Sequence, residues 1–485
     1  MSAEPLTIRN LTSSPVELKH LERYENHALL DQSRGFSNIT RKLTGRSSNR
    51  SSRHSSPSSR KSSGDGNSSP SGFRHEDASV SIGPFQTSRT EIKTTEQGPH
   101  EVLRLVFEVN GQQYLLDTLP PTAASKSLVP LTADPSFNFT AVYHANQSHL
   151  SILSSSSLSS WMASLDDALP LSALSIPGTH NSPTYHHALP SVRCQAASLS
   201  EQLKNGIRFL DIRVQPEKKG ETKDSLLLVH AAFPVALSGS KYFRDLVNKV
   251  EDFLAQNPSE TIIMSIKREG TGSATDEALS RILRDHYAGD VHKWFTAPRI
   301  PTLGEARGKI VLVRRFALED GLCSEWDGAG WCLDAQTWTY NTPHEICGSG
   351  RDFCVQDFCE VLETENIDEK IRVASELLDR ASKCTCPPLS SSSASAEKIP
   401  FHLNFLSAAN FWKPGCWPQK IAEKLNPAIT EHLCLRHGCC DGPAEDGGGD
   451  GDGGTGIVVC DWVGFHDDWD LVRCIVAMNA RLHVK

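Results

Sequence analysis

Phe243-Arg-Asp-Leu-Val-Asn-Lys-Val-Glu-Asp-Phe-Leu-Ala-Gln256 is followed by Asn257-Pro258, and then by Thr261-Ile-Ile-Met-Ser-Ile-Lys267. In the first segment Phe243, Leu246, Val247, Val250, Phe253 and Leu254 recur at helical spacing, so Tyr242 to Gln256 reads as an amphipathic helix. Asn257-Pro258 stops it, and the run from Thr261 to Lys267 reads as a strand. The same strand pattern recurs at Ile207 to Val214, Leu226 to His230, Lys309 to Phe316, Phe401 to Leu406 and Ile457 to Trp462. Strands alternating with amphipathic helices over this length predict an α/β fold, a distorted TIM-type (β/α) barrel spanning residues 161–485.

Working outward, the first third of the chain has a different pattern. Leu6 to Leu11, Val80 to Phe85, Val102 to Val109, Tyr114 to Leu116, Phe137 to His144 and His149 to Leu153 read as short strands, and Asn110-Gly111 as a hairpin turn. They predict a small antiparallel β domain, sandwich-like, from residues 1–32 and 74–153. Residues 33–73 interrupt it with Ser, Arg, Gly and Asn and almost no large apolar side chains, so a disordered insert is expected there. Residues 154–160, rich in Ser, read as the linker to the barrel. Ser390 to Ala396 and the acidic, Gly-rich run Asp441 to Gly456 read as solvated loops, the latter without calcium-loop spacing.

The charge balance, 49 Lys and Arg against 58 Asp and Glu, argues against nucleic acid as a partner. Met1-Ser2-Ala3-Glu4-Pro5 has no basic start leading into an apolar core, and no apolar run is long enough to span a bilayer. The expectation is a cytoplasmic or peripheral membrane protein with no transmembrane segment. Of the 14 Cys, nearly all follow Gly321. Cys384, Cys386, Cys434, His437, Cys439 and Cys440 match none of the usual paired-ligand zinc spacings, so free reduced thiols are expected.

Each expected barrel strand ends in polar residues. The first leaves Ile176-Pro-Gly-Thr179 at His180-Asn181. The second carries Asp211 and Arg213, which share a face because they are two apart. The third ends at His230, the fourth gives Lys267 and Glu269, the fifth Arg314-Arg315, and the last leads to Asp461. In a barrel these strand ends meet at one mouth. Two histidines, carboxylates and cations there suit phosphodiester cleavage. One imidazole takes a proton from the attacking hydroxyl, the other gives one to the leaving oxygen, and a guanidinium stabilises charge on the phosphoryl group.

Several of these segments resemble one known family. Ser175-Ile-Pro-Gly-Thr-His-Asn-Ser182, Gly206-Ile-Arg-Phe-Leu-Asp-Ile-Arg213, Leu228-Val-His230, Asn257-Pro-Ser-Glu-Thr-Ile-Ile-Met-Ser-Ile-Lys267 and Leu303-Gly-Glu-Ala-Arg-Gly-Lys-Ile-Val-Leu-Val-Arg-Arg-Phe316 are similar to the phosphatidylinositol-specific phospholipase C X-domain superfamily. The likeness is particularly to its compact, bacterial, metal-independent type. Val355-Gln356-Asp357 and Val458-Val-Cys-Asp461 extend it more loosely. The resemblance implies a phosphodiesterase that cleaves a phosphoinositide-like lipid at a membrane surface through a 1,2-cyclic inositol phosphate. It implies His180 as general base supported by Asp461, His230 as general acid partnered by Asp211, and Arg213 on the phosphate. Lys267, Arg315 and Asp357 would bind inositol hydroxyls. Arg213 stands where the calcium-dependent branch has an acidic ligand, which implies no metal and no cofactor. Asn181 stands where the bacterial type has Asp, within the implied catalytic set, and Cys359 where it has an inositol-stacking Tyr. The alternatives are a glycerophosphodiester-type phosphodiesterase and a non-catalytic lipid-binding scaffold.

Overall fold

The computed structural model describes residues 4–25, 74–94, 101–118, 125–217, 224–384, 398–438 and 453–483. The Ser/Arg-rich insert, the Ser390 to Ala396 loop, most of the acidic Gly-rich run, and Cys386, Cys439 and Cys440 lie outside the described residues. The chain divides into two compact units, the first within residues 1–152 and the second essentially residues 153–485.

The first unit contains two five-stranded sheets. Pro5–Leu11, Thr87–Lys93, Ser125–Ser127, Phe139–His144 and His149–Ser154 form one. Val16–Glu25, Arg74–Ile82, Glu101–Val109, Gln112–Thr118 and Val129–Pro130 form the other. Inward residues of both sheets, among them Leu6, Ile8, Leu18, Leu105, Phe107 and Ile152, share one buried apolar cluster. The Asn110-Gly111 turn joins paired Val109 and Gln112, and both turn residues adopt positive φ (49° and 75°), as a two-residue hairpin requires. The Val16–Glu25 strand escapes a pattern reading because a register shift between Leu18 and His20 breaks its alternation, and Thr87–Lys93 because Ile92 is its one large apolar residue.

In the second unit the strands that carry the expected motifs are β1 (Ile176–Thr179), β2 (Phe209–Pro216), β3 (Leu226–His230), β4 (Ile262–Arg268), β5 (Ile310–Arg315), β6 (Phe353–Gln356), β7 (Phe401–Phe405) and β8 (Ile457–Cys460). Their lateral order is β5-β4-β2-β1-β8-β7-β6, with every neighbouring pair parallel. Helices α1 (Leu199–Lys204), α2 (Phe243–Gln256), α3 (Asp276–His286), α4 (Ile367–Ser382), α5 (Pro418–Leu435) and α6 (Asp470–Ala477) alternate with them. Among the described residues no pairing joins β5 to β6, so the sheet is a curled, open barrel rather than a closed one.

The run Ile310, Val311, Leu312, Val313 is wholly buried, which is what a strand covered on both faces demands. Each such side chain contributes about 1.5–3 kcal/mol. The six apolar residues that define the α2 stripe are all buried. At Gly178 a Cβ would come within 2.9 Å of the Phe209 Cβ, so β1 reaches β2 only because position 178 has no side chain.

Two expectations change here. Leu226–His230 is not a parallel barrel strand. It pairs antiparallel with β2 (Val214 opposite Leu228), off the parallel path, because only a short connection separates the two. The Ser-rich linker also does not run free to the barrel: Leu158–Ser164 forms 3-10 turns with Trp161 and Met162 buried.

Candidate active site

Strand register assembles the site. Thr179 of β1 lies beside Cys460 of β8, so the next residues, His180 and Asp461, leave the sheet side by side. The His180 amide donates to the Cys460 carbonyl at 3.0 Å, and Gln195 Nε2 donates to both the His180 and Cys460 carbonyls (2.7 and 2.9 Å). His180 Nδ1 meets Asp461 Oδ1 at 2.9 Å. A carboxylate only accepts, so Nδ1 carries the proton and Nε2 is left for chemistry. Burial opposes charge on this ring, but the Asp461 carboxylate and the Cys194 thiol hold its pKa well above the usual histidine value.

A second row of register brings three cations together. Arg213 of β2 lies beside Lys267 of β4, and Lys267 lies beside Arg315 of β5. Asp211 and Arg213 share a face as their spacing requires: Arg213 Nη2 donates to Asp211 Oδ2 at 2.8 Å and Nε at 3.1 Å. Arg213 Nη1 also bonds Glu269 Oε1, which accepts from Lys267 Nζ at 3.0 Å, while Glu269 Oε2 accepts the Ala231 amide at 2.8 Å. Burial would raise both carboxyls. The neighbouring Arg213 and Arg315 hold Asp211 far below the carboxylate range, and Arg213 with Lys267 holds Glu269 down to about 2.

Arg315 is the least satisfied of the three. Its guanidinium lies 3.6 Å from the Trp338 ring centroid and 3.5 Å from Asp211 Oδ1. Its buried Nη1 has no hydrogen-bond partner among the described residues. Burial and the neighbouring Arg213 push its pKa down to about 10, against the opposing pull of the Asp211, Asp357 and Glu269 carboxylates. Arg314 faces the other way and pairs with Asp334 (3.1 Å).

His180, His230, Arg213, Lys267, Glu269, Arg315, Asp357 and Asp461 all wall one cavity of about 370 Å³, together with Trp338, Tyr340 and Cys359. The two imidazoles are 5.8 Å apart between ring centroids and nearly perpendicular. Asp357 is fixed by Trp338 Nε1, which donates to Oδ2 at 3.1 Å. The arrangement offers one histidine with a free Nε2, a second histidine opposite it, and a wall of donors with unspent capacity. That is the equipment for acid–base attack on an anionic ester.

One expected pairing and one expected placement differ. Asp211 does not partner His230: it is consumed by Arg213, Arg315 and the Asn181 amide (3.1 Å), and lies 4.0 Å from His180 Nε2. His230 Nδ1 instead donates to the Val192 carbonyl at 2.7 Å, with Cys194 Sγ at 3.8 Å. Asn181 does not line the cavity. Its φ of 40° turns the side chain into the protein, where the amide is fully buried with neither head hydrogen-bonded among the described residues. Where Cys359 leaves a gap in aromatic character, Trp338 and Tyr340 bring rings to the cavity from a different loop. Trp338, Tyr340 and Cys194 lie in irregular segments with no periodic signal. Glu269 had one, its i, i+2 spacing from Lys267.

Comparison with known proteins places the same segments. Residues 168–316 match the family model "Phosphatidylinositol-specific phospholipase C, X domain". The 1-phosphatidylinositol phosphodiesterase of Listeria monocytogenes is 34% identical over 181 residues, covering 35% of this chain and 53% of that protein. The protein of the same name from Staphylococcus aureus strain Newman is 26% identical over 357 residues, covering 70% of this chain and 98% of that protein. A solved double mutant of the phosphatidylinositol-specific phospholipase C from S. aureus aligns with a TM-score of 0.51 at 23% identity, covering 66% of this chain and 97% of that one, a likeness of fold.

Proposed function

The chain belongs to the phosphatidylinositol-specific phospholipase C X-domain family, and on that premise we propose that it cleaves phosphatidylinositol by two-histidine acid–base catalysis. The observation that carries this reading is the convergence of His180–Asp461, His230 and the Arg213–Lys267–Arg315 row on one cavity.

His180 Nε2 takes the proton of the inositol 2-hydroxyl, and Asp461 stabilises the imidazolium that results. The 2-oxygen attacks phosphorus, and the bond to the diacylglycerol oxygen breaks. Protonated His230 supplies the proton that oxygen needs, leaving diacylglycerol and a 1,2-cyclic inositol phosphate. The Val192 carbonyl sets the orientation of His230, with its proton-donating nitrogen turned away from the backbone. Burial opposes the charge on His230, yet the Cys194 thiol keeps its pKa above the usual histidine value, which favours the acid form. Arg213 offsets charge on the phosphoryl oxygens. Lys267, Arg315 and Asp357 hold the inositol hydroxyls, and the orphaned Arg315 Nη1 acquires its missing acceptor there. Arg213 supplies fixed positive charge at the phosphate, so no metal is needed for this route.

The lipid reaches this mouth at a membrane surface. Among the described residues no helix is long and apolar enough to cross a membrane. Beyond Ala408 and Ala409 on the cavity wall, Phe411 stacks on Phe233 (centroids 5.5 Å, 11° between planes) and lies 4.9 Å from Trp412, which is 87% exposed. An aromatic cluster at the rim suits the headgroup layer.

The test is to incubate the full chain with phosphatidylinositol vesicles in EDTA and follow cyclic inositol phosphate by phosphorus NMR. Product is expected in wild type, with a loss of at least about a hundredfold in His180→Ala and in His230→Ala. Full activity in both variants, or complete loss in EDTA, overturns the mechanism.

A further inference from the structure

Behind the two histidines lies a thiol that neither takes nor gives a proton in this acid–base route. Cys194 is wholly buried, in the loop between β1 and α1, and its Sγ is 3.8 Å from His230 Nδ1. One ligand-type atom each from His180, Cys194 and His230 lies within 4.8 Å of the other two. The thiol is held there by the backbone. The Cys194 amide donates to Thr184 Oγ1 (3.1 Å), Thr184 Oγ1 donates to the Asn181 carbonyl (2.7 Å), and the Cys194 carbonyl accepts the Trp462 amide (2.8 Å). Cys194 is thereby tied to the residues that follow His180 and Asp461.

We propose that His180, Cys194 and His230 form a binding site for a thiophilic divalent cation of the zinc class, and that occupancy reversibly shuts the catalytic site by taking both imidazoles. Two imidazoles and a thiolate are a borderline-soft donor set, and three protein ligands leave a fourth position open to the cavity. Bonds of about 2.1 Å to nitrogen and about 2.3 Å to sulfur at tetrahedral angles set the ligand atoms roughly 3.6 Å apart. The Cys194–His230 separation of 3.8 Å is already close to that, and the remaining separations need about 1 Å of side-chain adjustment. His180 can ligate through Nε2 while Nδ1–H stays on Asp461, a carboxylate–histidine–metal relay. The protons balance as follows: Cys194 releases its thiol proton to solvent, and His230 frees Nδ1 either by releasing that proton or by carrying one on Nε2 instead. The His230–Val192 bond is lost in the exchange, and the cation sits near Arg213, so binding is weaker than in a dedicated structural zinc site. The carboxylates nearby are already engaged, Asp461 by His180, Asp211 by Arg213 and Glu269 by Lys267, so hard cations, which need several oxygen ligands, should not compete.

The consequence for turnover rests on the function proposed above, but binding does not, so the two are measured separately. The metal-stripped full chain is titrated with ZnCl2 against a chromophoric chelator, and with CoCl2 while following thiolate-to-cobalt absorption. Activity on phosphatidylinositol is read in parallel. We expect zinc to inhibit and EDTA to restore activity, with millimolar Ca2+ and Mg2+ inert. Cys194→Ser should weaken binding at least tenfold and remove the cobalt–thiolate band assigned to this site. X-ray absorption of wild type with one equivalent of zinc should give one sulfur and two imidazole nitrogens, which keeps the test valid if the variant fails to fold. Unchanged zinc affinity and an unchanged cobalt band in folded Cys194→Ser, or an all-sulfur or all-oxygen shell, overturns the site. A chain that binds zinc there but never turns over lipid leaves this site standing and sinks the enzymatic reading.

Discussion

Asp461→Asn separates the two tasks assigned to this carboxylate. Asp461 is nearly fully buried and meets His180 Nδ1 at 2.9 Å. Two unit charges about 4 Å apart interact by about 4 kcal/mol at an effective dielectric of about 20. At 1.36 kcal/mol per pKa unit, that sets a ceiling of roughly 3 units on what the anion adds to the His180 pKa. The sign is fixed. Asp461 raises the His180 pKa, so the imidazole is neutral only above that raised value. With Asn the His180 pKa should fall by at least about 1 unit. The kcat/KM should fall at the same time, by about 10²–10⁴-fold. The imidazolium loses its counter-charge, and the Asn amide can present an N–H to Nδ1, which selects the wrong tautomer. The assays are a proton-NMR titration of the histidine rings and kcat/KM on a soluble inositol phosphodiester, which removes vesicle effects. A His180 pKa that stays in place while activity falls would refute the pairing of Asp461 with His180.

Three further outcomes follow from other parts of the unit. Trp412→Ala removes an exposed ring of the kind that buries roughly 150–250 Å², each Å² contributing about 25 cal/mol. Partition onto phosphatidylinositol vesicles in a sedimentation assay should weaken at least tenfold, with turnover of a soluble phosphodiester unchanged; unchanged partition refutes the rim as the docking surface. Arg208→Met leaves Glu260 buried without the guanidinium that holds it at 2.8–2.9 Å, and urea unfolding should show a loss of about 3–5 kcal/mol. A loss below about 1 kcal/mol would mean the pair is not a fixed part of the fold. Lys370→Met removes a buried ammonium that donates to Gln356 Oε1 and to the Phe358 and Phe405 carbonyls, tying the end of β6 to the end of β7. Because Asp357 follows Gln356 directly, KM for the inositol substrate should rise several-fold; thermal unfolding read alongside shows whether the fold survives, and an unchanged KM in a folded variant refutes this positioning role.

The parts of this molecule that were legible in the sequence are those whose cause is local. The α2 stripe and the apolar run of β5 follow from periodicity and burial alone, and the Asp211–Arg213 contact follows from i, i+2 spacing on one strand. The row Arg213–Lys267–Arg315 was legible only as three separate strand ends, because lateral register is set by packing between strands and leaves no mark within any one of them. Cys194 and Trp338 lie in loops whose course is decided by what they pack against, and so carried no signal. The missed pairing of Asp211 with His230 shows where motif reasoning breaks physically. It assumes that the second strand's carboxylate is free to serve the second histidine. In this fold Asp211 faces the cation row, which holds it ionised and occupied, and β3 turns back antiparallel from β2 and brings His230 to the loop that follows β1 instead. His230 is therefore oriented by a backbone carbonyl rather than by a buried charge. A neutral acceptor raises the imidazole pKa far less than a carboxylate does, so of the two histidines it is His180, with Asp461, that carries the larger upward shift.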